Sequence, residues 1–378
     1  MENQNLYMPN DKAICDAVKS SKITNQRLAE IFFKRGIIIS PDTDRHTLAL
    51  YYSRMFTGYT DFDELTYSLQ SISQREKITS RFITNSTSTE ILAAASKLKE
   101  IINSKDYPQD ASATISKYAD ETIITITYSD INPNKSQLQQ TVTKEATINI
   151  TSTPDELILR SPFNDNSEKW VNHLIEILSE QKNPPPKIDT ISLEFIDSPK
   201  LRSQFLEDLT KQIKDFDLKD VSKVSVFNPE KTTPPPSELS DTTQQVDISS
   251  ETHVFKASLN GKGVLNSGEI DHLYEKGFYA FHVTWTCIEK NATPDIYEIE
   301  VKFEDSENCK NLSYKVKGFY KYMSVGKHSS NRQPSSGAME RDIQTKIEHT
   351  ARKTIAKFQE DIKASSHVDK SSSDAEIA

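Results

Sequence analysis

The sequence predicts an α+β protein: a small N-terminal helical module followed by two α+β domains whose sheets are mainly antiparallel. Three observations carry that prediction. Apolar stripes at helical spacing occur near both ends, at Leu28, Ile31 and Phe32 and again from Met339 to Ile362. Period-two alternation marks strands between them, as in Glu121 to Tyr128 and Ile296 to Phe303. Proline-bearing polar runs punctuate the chain, most plainly Thr232 to Asp247, TTPPPSELSDTTQQVD.

Bulk properties bound the answer further. A chain of 378 residues is longer than one core usually serves. Its 35% hydrophobic and 27% charged content is polar for a globular protein but too apolar for a disordered one. The net charge of -9 excludes a uniformly basic surface, so contact with nucleic acid requires a local basic patch. Cys15, Cys287 and Cys309 are far apart and lack CxxC or Cys/His spacing, which argues against a disulfide framework or zinc site and for a reducing compartment. The start, MENQNLYMPNDK, has no apolar core of a signal segment, and no window approaches 18 apolar residues. A cytoplasmic protein with no membrane partner is expected.

Residues 1–20 read as a polar arm. Thr24 or Asn25 caps a first helix, which Gly36 ends behind Lys34 and Arg35. Ile37 to Ile39 runs extended into Ser40-Pro41, where a helix cannot continue. Asp42, Thr43 or Asp44 caps a second helix with Leu48, Tyr51, Tyr52 and Met55 inward, and Asp61 to Ile72 forms a third. The run from Thr84 to Thr89 reads as a linker, so the module spans 1–83. The domain 90–230 then takes a helix from Glu90 to Ile102, strands at Glu121 to Tyr128, Thr141 to Thr151 and Leu157 to Leu159, and a helix from Glu168 to Glu180. It closes with a β–α–β unit of Ile188 to Phe195, a helix opened by Ser198-Pro199, and Val221 to Phe227. Beyond a linker at 231–250, the domain 251–363 has the order β–α–β–β–β–α. Its last helix carries the stripe Met339, Ile343, Ile347, Ala351, Ile355, Phe358 and Ile362. Residues 364–378 read as a disordered tail.

The stretch Ile23 to Phe56 resembles the SAP-like helix–extended loop–helix modules that bind nucleic acid. The match rests on Leu28, Phe32, Arg35-Gly36-Ile37, Arg45 and Leu48, and covers about 35 residues. It implies phosphate contacts from Arg35, Arg45 and Lys34. Within 19–58 seven basic residues outnumber three acidic ones, a net +4. The alternative for the same module is a helical dock for a protein partner.

A second basic region runs from 315 to 357, where ten cations face three carboxylates, a net +7. On the strand, Lys315, Lys317 and Lys321 occupy odd positions and share a face with Phe319 if no bulge intervenes; Tyr314, Val316, Tyr320 and Tyr322 take the other. The loop Gly326 to Gln333 adds Lys327 and Arg332. Interleaved cations and rings suit a nucleic-acid backbone. Glu300-Val301-Lys302 matches half of a metal-dependent nuclease pattern, but Pro294-Asp295 precedes it too closely to supply the other half. No nucleophile, dinucleotide or kinase motif is present, and no cofactor is expected. The sequence therefore points to a non-enzymatic nucleic-acid-binding protein, with double-stranded DNA as the expected partner. The alternatives are a docking subunit of a multi-protein, defence-related complex and a metal-dependent nuclease.

Overall fold

A computed structural model of the chain describes residues 9–69, 76–107, 110–229 and 255–373. The linker expected at 231–250 lies outside the described residues. The architecture is α+β, with mainly antiparallel strands. It forms two compact units, neither continuous in sequence: residues 1–76, 88–149 and 166–183 make the first, and 77–87, 150–165 and 184–378 the second.

The first unit begins with four short helices, α1 (Asp11–Lys19), α2 (Asn25–Phe33), α3 (Arg45–Ser53) and α4 (Tyr59–Leu69). The expected polar arm is α1. Asn10 caps it through a bond from the Ala13 amide, and Ala13, Ile14, Ala17 and Val18 bury one face. Four small apolar residues at i, i+1, i+4 and i+5 form a narrow stripe that polar neighbours hide from a composition reading. Thr24 caps α2. Gly36, at φ +74°, ends it in a Schellman motif: the Gly36 amide donates to Phe33 O and the Ile37 amide to Phe32 O. Asp44 caps α3. Leu48 and Tyr52, with Met55 beyond the helix, pack inward as predicted, and Ala49 joins them, whereas Tyr51 is exposed. Leu138, from the turn between β3 (Glu121–Ile131) and β4 (Thr141–Ser152), completes this core. The unit also holds α5 (Ser88–Ile102), β2 (Ala111–Lys117), which pairs with β3, and α6 (Asp165–Glu180), whose Trp170 indole donates to Tyr107 Oη at 2.8 Å.

The second unit contains a sheet in the order β5-β1-β11-β10-β9-β7-β8. Its strands are β1 (Ile78–Thr84), β5 (Leu157–Pro162), β7 (Phe216–Phe227), β8 (Lys256–Asn260), β9 (Tyr279–Glu289), β10 (Ile296–Asp305) and β11 (Lys310–Tyr320). β1 occupies the end of the expected N-terminal module and stops at Thr84, where the expected linker begins. Asn85, just after β1, takes a positive φ of 62°. The expected β–α–β unit does not form as a neighbouring pair. β6 (Lys187–Thr190) pairs with β1, and β7 pairs with β8 and β9, so α7 (Pro199–Lys211) joins distant strands. One face of the sheet packs Val283, Trp285, Ile299, Val301, Phe303 and Tyr314 against α7 and α9 (Gly337–Ser373). The last helix buries Ile343, Ile347, Ala351 and Phe358 from the predicted stripe. It continues to Ser373, through most of the expected tail, in a run without glycine or proline.

An ion pair is buried under that helix. Arg160 Nη2 lies 2.6 Å from Glu348 Oε2 and its Nε donates to Oε1 at 2.8 Å. Tyr314 Oη also donates to Glu348, and Arg160 reaches Thr345 Oγ1 at 3.1 Å. Burial alone would lower the Arg160 pKa, but the bond to Glu348 raises it, so the guanidinium stays charged.

Candidate functional site

The three N-terminal cations implied by the SAP-like resemblance are all held inside their own module. Arg35 Nη2 lies 2.5 Å from Asp61 Oδ1, its Nη1 donates to Phe56 O at 3.0 Å, and the guanidinium stacks on the Tyr52 ring at 4.8 Å. Lys34 Nζ lies 2.7 Å from Glu64 Oε1, which Arg27 shares at 3.0 Å. Arg45 Nη1 donates to Ser20 O at 2.5 Å, closing the C-terminal end of α1, and its Nη2 donates to Asn25 Oδ1 at 2.6 Å. A phosphate would have to compete with these partners. What the module exposes instead is apolar: Phe56 is 94% exposed and Phe33 69%, with Ile38, Tyr51 and Tyr67 also open to solvent. This signal was available in the sequence as aromatics outside the inward stripes, but periodicity alone does not separate an exposed ring from a core ring.

The other candidates meet on the polar face of the second unit's sheet. Alternation along β10 sends Glu298, Glu300, Lys302 and Glu304 to one side and Tyr297, Ile299, Val301 and Phe303 to the core. Across that face runs a chain of polar contacts. Ser225 Oγ is 3.1 Å from Ser258 Oγ and 3.3 Å from His282 Nδ1. His282 Nε2 is 3.1 Å from Glu300 Oε1, and Lys77 Nζ bridges Glu300 at 3.3 Å and Glu304 at 3.2 Å. Ser313 donates to Glu304 at 2.6 Å, and Lys302 pairs with the same carboxylate. The His282 hydrogen bond, with the charge of Lys77 and against the effect of burial, pushes the Glu300 pKa down to about 2.

That arrangement bears on the enzymatic alternatives. Glu300 is engaged by His282 and Lys77, and Lys302 by Glu304. Asp295 accepts the Tyr322 amide at 2.7 Å. Among the described residues no group of three His, Cys, Asp or Glu side chains could hold a metal ion. The order Ser225–His282–Glu300 resembles a nucleophilic triad, yet Ser225 sits mid-strand, 7% exposed, with its hydroxyl shared with Ser258. An attacking hydroxyl needs room for a carbonyl beside it, and this one has little.

The cations cluster at the next strand. Lys317 Nζ and Arg332 Nη1 converge on one carboxylate, Glu298, at 2.7 and 2.6 Å. Burial opposes it, but these two cations hold Glu298 below its ordinary range. Lys315 has no carboxylate within ion-pair distance among the described residues. Its amine is held below its usual value first by partial burial and then by Lys317, Lys77 and Arg332, against the pull of Glu300. A bulge at Glu298/Ile299 opposite Lys317-Gly318 changes the strand's parity. Phe319 therefore turns to the core and stacks on Tyr297 at 5.7 Å, while Tyr320 reaches Glu298 at 3.5 Å. The straight-strand expectation of Lys315, Lys317, Lys321 and Phe319 on one face fails at this bulge. Gly318, at φ +140°, is required there: a Cβ would lie 2.3 Å from Gln333 O.

Beyond the bulge the chain forms a hairpin of β12 (Tyr322–Ser324) and β13 (Lys327–His328). Lys321 and Lys327 flank it, both exposed, and Arg332 lies on its return to the sheet. Of the sequence-predicted residues, Lys315, Lys317 and Arg332 thus come together, Lys321 and Lys327 stand on the adjoining hairpin, and Lys34, Arg35 and Arg45 belong to the other unit. Lys77 and Lys302 also join the cluster. Lys77 was missed because nothing local marks a lysine just before β1 as the neighbour of β10.

A groove of about 510 Å³ elsewhere in the second unit is lined by Phe82, Asp189, Phe195, Arg352, Ile355 and Gln359. Its cation is already committed, since Arg352 pairs with Glu156 and stacks on Phe82 at 4.2 Å. No helix among the described residues is long and apolar enough to cross a membrane. In comparisons with known proteins, no protein-family model and no curated protein matched the chain.

Proposed function

We propose that the protein binds nucleic acid without catalysing a reaction on it, taking the phosphate backbone of double-stranded DNA on the cationic face of the second unit. The observation that carries this reading is the charge imbalance around Lys315. Lys77, Lys302, Lys315, Lys317 and Arg332 face the three carboxylates Glu298, Glu300 and Glu304, and Lys315, opposite Glu300 in register, makes no ion pair among the described residues while Lys317, Lys77 and Arg332 repel it. A bound phosphate would remove that repulsion and release counterions from the DNA. The residues act as phosphate anchors and do not read sequence. The test is an anisotropy titration of a generic duplex at 50 and 200 mM salt, comparing the wild type with Lys315→Glu/Lys317→Glu. Affinity should fall steeply with salt in the wild type, and the variant should bind at least about tenfold more weakly with a shallower slope. Absence of wild-type binding at the lower salt would remove the reading.

A second reading concerns the N-terminal helices. With Lys34, Arg35 and Arg45 internally paired and Phe33 and Phe56 exposed, that module suits a protein partner better than a phosphate. It would make the chain a docking subunit of a larger complex. Replacing both rings, as in Phe33→Ser/Phe56→Ser, should abolish association with such a partner and leave duplex affinity unchanged. Loss of duplex affinity in that variant would count against it.

A further inference from the structure

We infer that the β12–β13 hairpin is a wedge that inserts an apolar tip between stacked bases of a duplex from the minor groove, and this rests on the nucleic-acid reading above. Two side chains at its tip are held out in water without packing: Met323 is 72% exposed and Val325 92%. Gly326, at φ +71°, takes the left-handed position of the tight Val325-Gly326 turn, so the tip is narrow. Lys321 and Lys327 flank these apolar residues.

The base of the hairpin is firmly attached. Phe319 and Gln333 exchange backbone bonds at 2.9 and 2.8 Å, and Lys321 and Ser329 are joined by bonds of 2.8 and 3.0 Å. The Tyr322 amide donates to Asp295, and His328 Nε2 meets Pro294 O at 2.8 Å. Arg332 is tied to Glu298. A short two-stranded ribbon is marginal alone, so these anchors keep the tip extended before any partner arrives.

Exposed apolar groups at the end of a fixed finger cost free energy in water and call for an occupant. The charge around them selects which. Lys321 and Lys327 stand beside the tip, and Lys315, which makes no ion pair among the described residues, precedes it on β11; these cations suit phosphates on either side of an unstacked step. Side chains such as methionine entering from the minor groove partially unstack a step and kink the duplex, and flanking cations hold the deformed backbone.

The test uses the full chain and a duplex of about 20 base pairs carrying one 2-aminopurine, whose fluorescence rises on unstacking, with donor and acceptor dyes on a second duplex to report bending. Wild-type protein should raise the fluorescence at least about twofold and shorten the end-to-end distance. Met323→Ser/Val325→Ser, at exposed positions and with its fold checked by circular dichroism, should bind within about threefold of wild type with the same salt slope but lose both signals. Salt-dependent wild-type binding without either signal, or signals unchanged in the variant, would overturn the wedge and leave the phosphate-binding reading standing. Tip-dependent binding to phosphatidylserine vesicles with no fluorescence change on DNA would also overturn it, in favour of a lipid surface. No duplex binding by any form would remove both readings together.

Discussion

In the N-terminal helices, lysine and arginine are spent inward: Lys34 on Glu64, Arg35 on Asp61 and Arg45 on the end of α1, while aromatic rings face solvent. On the sheet face of the second unit the same residue types outnumber their carboxylates, and the rings Phe319 and Tyr297 turn to the core. Both regions carry a positive count in sequence. The number of basic residues therefore does not measure the charge a surface can offer; the number left after internal pairing does.

Four measurements test that contrast. The largest effect should come from Glu348→Ala, which leaves Arg160 buried without its carboxylate. A loss of about 3–5 kcal/mol in unfolding free energy is expected by denaturant titration; a loss under about 1 kcal/mol would mean that water reaches the pair. Next, Arg45→Ala should destabilise by about 1–3 kcal/mol, because the carbonyl at Ser20 loses a charged donor. It should leave duplex affinity unchanged, and weaker duplex binding by a stably folded Arg45→Ala protein would erase the distinction between the two regions. Gly318→Ala should loosen the hairpin base, since its Cβ would meet Gln333 O. The expected sign is faster hydrogen exchange at the Phe319 and Gln333 amides with exchange in β9 unchanged.

The last expectation is the pH dependence of the sheet face. Glu300 has a folded pKa of about 2 against an ordinary 4.5, so its contribution is fully present above 4.5 and is lost as pH falls from there towards 2. Glu300→Gln should flatten the stability profile in that window. An unchanged profile would mean that His282 and Lys77 do not hold the carboxylate as the geometry indicates.

Much of the fold is legible from local chemistry. Thr24, Asp44 and Ser198 are caps because their side-chain oxygens reach the third amide of a helix, and Gly36 ends α2 because only glycine takes its φ without cost. The stripe Ile343, Ile347, Ala351 and Phe358 and the alternation from Ile296 to Phe303 fix which sides are buried. These are contacts within one element, and spacing encodes them directly. The polar arm that became α1, and β1 hidden before a supposed linker, escaped because their apolar stripes are short and diluted by serine, threonine and lysine.

The α+β class, the short lists of candidate helix caps, the alternation of β10 and the stripe of α9 are written in the sequence, because each depends on residues within a few positions of one another. Which cations are paired internally is set by residues distant in sequence. Whether Arg35 meets a phosphate depends on Asp61, a helix away, and whether Lys315 sits among like charges depends on Lys77, far off in the chain. The bulge at Gly318 turns Phe319 inward, and the return of Gln333 over that glycine holds the hairpin out. Charge pairing and strand parity are settled by partners distant in sequence, and local pattern carries no record of them.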